Sequence, residues 1–108
     1  MLLTTNLQQL GLSQKEAKVY LALLELGGGS ATDMAKRARV KRTSVYNLLP
    51  QLLEKGLIAK TRQNKKTIYL VEDPRNIAQF LERKVHKCQE LIPELEALHN
   101  VFPYQPRI

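Results

Sequence analysis

Residues 40–58, VKRTSVYNLLPQLLEKGLI, decide how the chain is read. Lys41, Arg42, Thr43 and Ser44 lead into Val45, Leu48, Leu49, Leu52 and Leu53, apolar residues three and four apart, which is the spacing of a helix with one buried face. Gly56 ends it, and Leu57-Ile58 begins an extended segment. With Val45 at the centre of the buried face and 100° per residue, Thr43, Asn47 and Glu54 fall opposite, with Ser44, Pro50 and Gln51 beside them. A basic helix over 41–55 with a polar outer face has the dimensions and donors to enter a DNA major groove.

On that helix Thr43, Asn47 and Ser44 are the candidates for base edges. Asparagine can bond adenine at two atoms, and a threonine methyl can meet a thymine methyl. Lys41, Arg42 and Tyr46 are placed for phosphates, which set register without reading sequence. Partial burial against the preceding helix is the competing reading of Tyr46. Gln51 extends the polar face, but Glu54 would repel a phosphate. Pro50 cannot donate to the carbonyl of Tyr46 and predicts a bend of about 3 kcal/mol unless packing offsets it. The first two turns are therefore the groove-facing part.

Outward from this stretch the chain punctuates itself. Residues 6–10 suggest a turn or two of helix closed by Gly11. Ser13 and Glu16 form a capping box that opens a helix ending at Gly27-Gly28-Gly29. Ser30 and Asp33 repeat the pattern for a short helix over 31–38, with Arg39-Val40 as the turn into the basic helix. Two helices across so short a turn make a helix-turn-helix. Residues 57–62 and 66–72 then read as strands around a Gln63-Asn64-Lys65 turn, with Asn64 the residue suited to a left-handed conformation. The hairpin carries Arg62, Lys65 and Lys66, placed for a minor groove or its phosphates. The competing reading is solvated decoration. A helix-turn-helix followed by a basic hairpin, the wing at 60–67, is a winged helix.

Asp73-Pro74 predicts a further helix, with Asp as N-cap and Pro at the first helical position. From Ile77 a heptad runs on, with Ile77, Leu81, Cys88, Leu91, Leu95 and Leu98 in the seam and Lys84 as its polar exception. So long a stripe predicts pairing between two chains, parallel or antiparallel. Packing back on its own domain is the alternative. Pro93 predicts a kink or split near Gln89. Residues 101–108, with Pro103 and Pro106, read as an extended tail. The expected organisation is thus a winged helix-turn-helix over 1–72, a dimerisation helix over 73–100 and a tail over 101–108. It is mainly α with a small β-hairpin.

Charge supports a polyanionic partner. Residues 34–67 hold ten Lys or Arg, including Lys36 and Arg39, against one acid, for a net +9 within a chain of net +7. Focused basic charge is the electrostatic footprint of a nucleic-acid binder. Alone it also describes a solvated basic surface. The 108 residues suffice for one small domain with an extension. No run of eighteen apolar residues predicts a membrane span. The first residues lack a secretory pattern, and one cysteine cannot form an intrachain disulfide, so a cytoplasmic protein is expected. There is no phosphate loop and no paired-cysteine metal site. His86 and Cys88, two apart, do not face each other on a helix. No cofactor, metal or catalytic residue is predicted, and the chain reads as non-enzymatic.

Together, LGLSQKEAKVYLALLELG, ATDMAKRARVKRTSVYNLLPQLLEKGLI, KKTIYLVEDPRNIAQFLERK and LIPELEAL resemble the TrmB family of winged-helix transcriptional regulators, chiefly archaeal, many of them responsive to sugars. The resemblance covers residues 10–98. It implies a dimer that binds double-stranded DNA through the recognition helix and wing. Many members carry a sugar-binding effector domain beyond this region, so no small-molecule effector is expected of this chain alone. The family usually has glycine where Arg39 stands and an acidic or polar residue where Pro50 stands. If the turn is kept, Arg39 must adopt a positive φ. The readings that compete with a sequence-specific regulator are a sequence-neutral architectural DNA binder and a winged-helix protein-interaction module.

Overall fold

The computed structural model describes residues 2–102 and 104. Five helices and one hairpin follow in order: α1 Leu2–Gln9, α2 Gln14–Leu26, α3 Ala31–Ala38, α4 Arg42–Glu54, β1 Ile58–Gln63, β2 Lys66–Val71 and α5 Asn76–Val101. The chain divides between Ile77 and Ala78 into two compact units.

Local chemistry fixes the helix ends. The Ser13 hydroxyl accepts from the Glu16 N–H at 3.1 Å, and Glu16 Oε1 accepts from the Ser13 N–H at 2.8 Å. Ser30 and Asp33 make the same reciprocal pair at 3.2 and 3.1 Å. Each box satisfies N-terminal donors that the helix cannot bond itself. Gly27, at φ 74°, closes α2 by donating to the carbonyls of Leu23 and Leu24. Arg39 closes α3 at φ 57° and ψ 45°. It adopts the left-handed conformation that the turn requires, although it is not glycine.

The core of the first unit joins Ala17, Val19, Tyr20 and Leu23 of α2 to Met34 of α3, Val45, Leu49 and Leu52 of α4, and Leu57 and Ile58 at the start of the hairpin. Burying each large side chain here contributes about 1.5–3 kcal/mol, an upper figure for a chain already partly compact when unfolded. The apolar face read from the sequence is therefore the face that α4 buries. The helix itself is Arg42–Glu54, with Lys41 and Lys55 as its caps. It passes through Pro50 without interruption. Pro50 is exposed, as is Tyr46 one turn earlier, to whose carbonyl Pro50 cannot donate.

The hairpin is longer by one pair than the spacing of the turn residues implied. Gln63 pairs with Lys66, leaving a two-residue turn in place of Gln63-Asn64-Lys65. Both turn residues have positive φ, Asn64 at 50° and Lys65 at 66°, the primed geometry whose twist matches that of paired strands. A third backbone segment joins the sheet: Gly29 and Tyr69 exchange hydrogen bonds of 3.0 and 2.8 Å. The neighbouring Gly28 sits at φ 130°, where an added Cβ would lie 2.8 Å from Leu70 Cδ2.

A part-buried ion pair ties α2 to the C-cap of α4. Lys55 Nζ lies 2.6 Å from Glu16 Oε2, and Glu16 is only 4 % exposed. Burial pushes the Glu16 carboxyl up, but Lys55 and the Ser13 N–H and hydroxyl outweigh it and hold the group below its ordinary 4.5. A depressed carboxyl stabilises the fold above its unfolded pKa, and that contribution is lost as pH falls through the folded value. Glu16→Gln is expected to lower stability at neutral pH by about 1.5–3 kcal/mol, the range for a hydrogen bond to a charged group. Paired denaturant melts should show the gap to wild type closing in acid, and a gap constant with pH would contradict this account.

The helix expected over 73–100 begins later and ends later. Asp73 Oδ1 accepts from the Arg75 N–H at 2.9 Å and its carbonyl accepts from the Asn76 N–H at 2.8 Å, so residues 73–76 form a turn ahead of the helix. Asn76 Nδ2 donates to the Gly56 carbonyl at 2.9 Å, which ties the start of α5 to the end of α4. The expected break at Pro93 is absent from α5, and Val101 is its last residue and not the first of a tail. Apart from Phe102 and Tyr104, the rest of the expected tail lies outside the described residues.

Candidate nucleic-acid interface

Lys41, Arg42, Thr43, Asn47 and Gln51 are exposed along the outer side of α4, and Ser44 is half-buried at its edge. Tyr46 is 52 % exposed, so its ring is available on the surface and partial burial is its lesser component. The Arg42 guanidinium lies 5.9 Å from the centroid of that ring, within reach of a cation–π contact. The contact pre-orders both side chains at the first turn of the helix. Lys36 and Arg39 are exposed at the end of α3 and in the turn that precedes α4.

The wing comes to the same side. Ser30, Thr32, Asp33, Tyr46, Lys66 and Tyr69 line one open cleft of about 520 Å³ between the start of α3, α4 and β2. Lys66 and Tyr46, twenty residues apart in the chain, thus flank a single surface. Burial pushes the Tyr69 phenol up, and the neighbouring Tyr46 adds to the shift. Lys60 and Arg62 line a second cleft, with Thr61, Thr67 and Tyr69. Arg62 Nη2 also donates to the Lys65 carbonyl at 3.2 Å, which steadies the wing tip from beneath.

Lys60 shares a cleft with Arg62, as residues two apart on one strand lie on the same face. One feature of this surface is not visible in the sequence order. Asp33 places a carboxylate in the cleft with Lys66. The Ser30 N–H and hydroxyl hold the Asp33 carboxyl below its ordinary value, slight burial opposes this, and Lys36 and Lys66 assist. Asp33 is therefore ionised at neutral pH and offsets part of the positive field between α3 and β2. Among the described residues no carboxylate lines the second cleft, with Lys60 and Arg62.

The seam residues of the long helix fall into two groups. Ile77 and Leu81 are half-buried, whereas Cys88, Leu91, Leu95 and Leu98 are exposed, the last two by 59 and 58 %. Lys84, the seam cation, sits 4.6 Å above the Phe80 ring. Among the described residues no group of His, Cys, Asp or Glu is arranged to hold a metal ion, and no helix is long and apolar enough to cross a membrane.

Comparison with known proteins agrees with this architecture. The chain is 29% identical over 97 residues to TrmBL1 of Pyrococcus furiosus, described as an HTH-type sugar sensing transcriptional regulator; the match covers 90% of this chain and 26% of the relative. It is 38% identical over 60 residues to an uncharacterized protein of Methanocaldococcus jannaschii, covering 56% of this chain and 50% of that one. The chain therefore spans from about a quarter to half the length of these relatives. Among solved structures, TrmBL2, described as an archaeal chromatin protein with a novel mode of DNA binding, is similar with a TM-score of 0.74 at 25% identity, over 92% of this chain and 37% of that chain. YusO of Bacillus subtilis shares the fold, with a TM-score of 0.59 at 22% identity over 92% of this chain and 78% of that one. Residues 7–75 match the family described as "Sugar-specific transcriptional regulator TrmB", and with the capped α2 and α3, the basic α4 and the wing in the same order, this chain belongs to the TrmB family of transcriptional regulators.

Proposed function

We propose that the chain is a sequence-specific DNA-binding module of a transcriptional regulator, cytoplasmic and working as a homodimer through α5. The observation that carries this reading is the exposure of Arg42, Thr43 and Asn47 on the outer side of α4 together with Lys66 of the wing, which shares a cleft with Tyr46. Thr43 and Asn47 read base edges in the major groove, Arg42 and Tyr46 hold phosphates, and Arg62, Lys65 and Lys66 follow the minor groove or backbone. Asn47→Ala is expected to lower affinity for a selected operator by about 1–3 kcal/mol while leaving binding to unrelated duplexes unchanged. Competition binding after selection from random duplexes measures both, and failure of the selection to enrich any motif would defeat the sequence-specific reading.

A second reading, sequence-neutral architectural binding, is favoured by the similarity to TrmBL2. It predicts that Asn47→Ala is silent on every duplex. The same competition experiment therefore separates the two.

A further inference from the structure

A cleft of about 530 Å³ opens where the first turn of α2 meets the helix-turn-helix turn, on a flank of α4. Lys15 and Lys18 line it from α2, Arg39 from the turn, and Lys41, Thr43 and Ser44 from the start of α4. Lys15 and Lys18 are three residues apart and so share one face of their helix. No acidic side chain lines this cleft. Two other clefts carry their own counter-charge, Asp33 accompanying Lys66 and Glu25 holding Arg37 at 2.6 Å, whereas the wing cleft of Lys60 and Arg62 also lacks an acid but gathers only two cations, both from one strand. Among the described residues none of Lys15, Lys18, Arg39 and Lys41 has an ion pair with an acid.

From this convergence we infer a phosphate-binding site for the DNA backbone, centred on Lys15 and Lys18, that lengthens the footprint beyond the recognition helix and wing. Four cations from three elements repel one another, and a polyanion relieves that repulsion. The hydroxyl of Ser44, at the edge of α4, adds a donor suited to phosphate oxygens. Arg39 strengthens the case. Its φ of 57° is a conformation that costs a side-chain-bearing residue about 1–2 kcal/mol, and glycine would hold the turn without that strain. Strain retained in a turn that delivers a cation to an uncompensated cleft points to use of the cation. A strand of DNA is favoured over a free anion because Thr43 also lies on the groove-facing helix. A duplex docked there carries its phosphates past this cleft.

The site rests on the DNA-binding reading, and one experiment separates their failures. Binding of wild type, Lys15→Ala/Lys18→Ala and Lys15→Arg/Lys18→Arg to a fluorescein-labelled mixed-sequence duplex is followed across a salt series. Both lysines are exposed, so thermal melts of the variants should match wild type. Each phosphate contact contributes about 0.9 to the slope of log affinity against log salt, so the alanine variant should lose about 1.8 from the slope and roughly fiftyfold in affinity near 0.1 M salt. The arginine variant should retain both. An alanine variant with the wild-type slope overturns the site while DNA binding stands. A wild type that binds no duplex overturns both.

Discussion

Raising salt from about 50 to about 200 mM is expected to weaken duplex binding by about three to five orders of magnitude, because six to ten phosphate contacts release that many counterions. The structure supports a count in this range. Of the ten cations in residues 34–67, Lys55 is held by Glu16 and Arg37 by Glu25. The other eight are Lys36, Arg39, Lys41, Arg42, Lys60, Arg62, Lys65 and Lys66, all exposed. Asp33 screens Lys36 and Lys66 in part, which moves the expected slope toward the lower end. A fluorescence titration on one duplex across the salt series gives the slope directly. A slope near −1 would mean that the basic surface does not meet phosphates as a set, and the major-groove docking of α4 would fall with it.

The same surface shows which information is local in a sequence. The two capping boxes were legible because their partners lie three residues apart and each side chain can satisfy the other's backbone only at a helix start. The buried face of α4 was legible from its spacing. The left-handed Arg39 was legible only through the resemblance, because the family usually has glycine at that position of the turn. The hairpin register was not: the polar run Gln63-Asn64-Lys65 reads as a three-residue turn with Asn64 left-handed, yet strand pairing draws both Asn64 and Lys65 into the left-handed region.

Contacts between distant parts of the chain left no periodic trace. Glu16 and Lys55 are separated by 39 positions, and each already had a sufficient local reading, one as a capping residue and the other as part of a basic segment. Gly29 read only as a helix stop, although its backbone extends the sheet through Tyr69. Asp33 read as a cap, and nothing in the order of residues places its carboxylate beside the wing. Lys15 and Lys18 lie outside the concentrated basic segment, so charge counting along the chain passes over them. The start of α5 was misread for a related reason. Asp73-Pro74 is a good opening in isolation, but Asn76 binding to the Gly56 carbonyl and the turn at Asp73 place the helix three residues later.

Leu91→Asp with Leu95→Asp is expected to convert the protein to monomers and to lower affinity for a two-half-site duplex by about 10²–10⁴, the avidity lost when the second contact is no longer intramolecular. Leu91, Leu95 and Leu98 are 41, 59 and 58 % exposed on one stripe, with Val85 at 56 % beside it. A second copy of the same helix supplies a matching stripe. Charge then favours one orientation. Residues 76–88 hold Arg83, Lys84 and Lys87 against Glu82, whereas residues 89–101 hold Glu90, Glu94 and Glu96 and no Lys or Arg. A parallel pair would set like halves side by side, and an antiparallel pair sets the basic half of each helix along the acidic half of the other. Added salt should therefore weaken the dimer, whereas it would strengthen a parallel one by screening the repulsion. Sedimentation equilibrium of wild type and the double variant at low and high salt reads both points. A wild type that is monomeric at high concentration, or a double variant that sediments with it as a dimer, removes α5 as the interface.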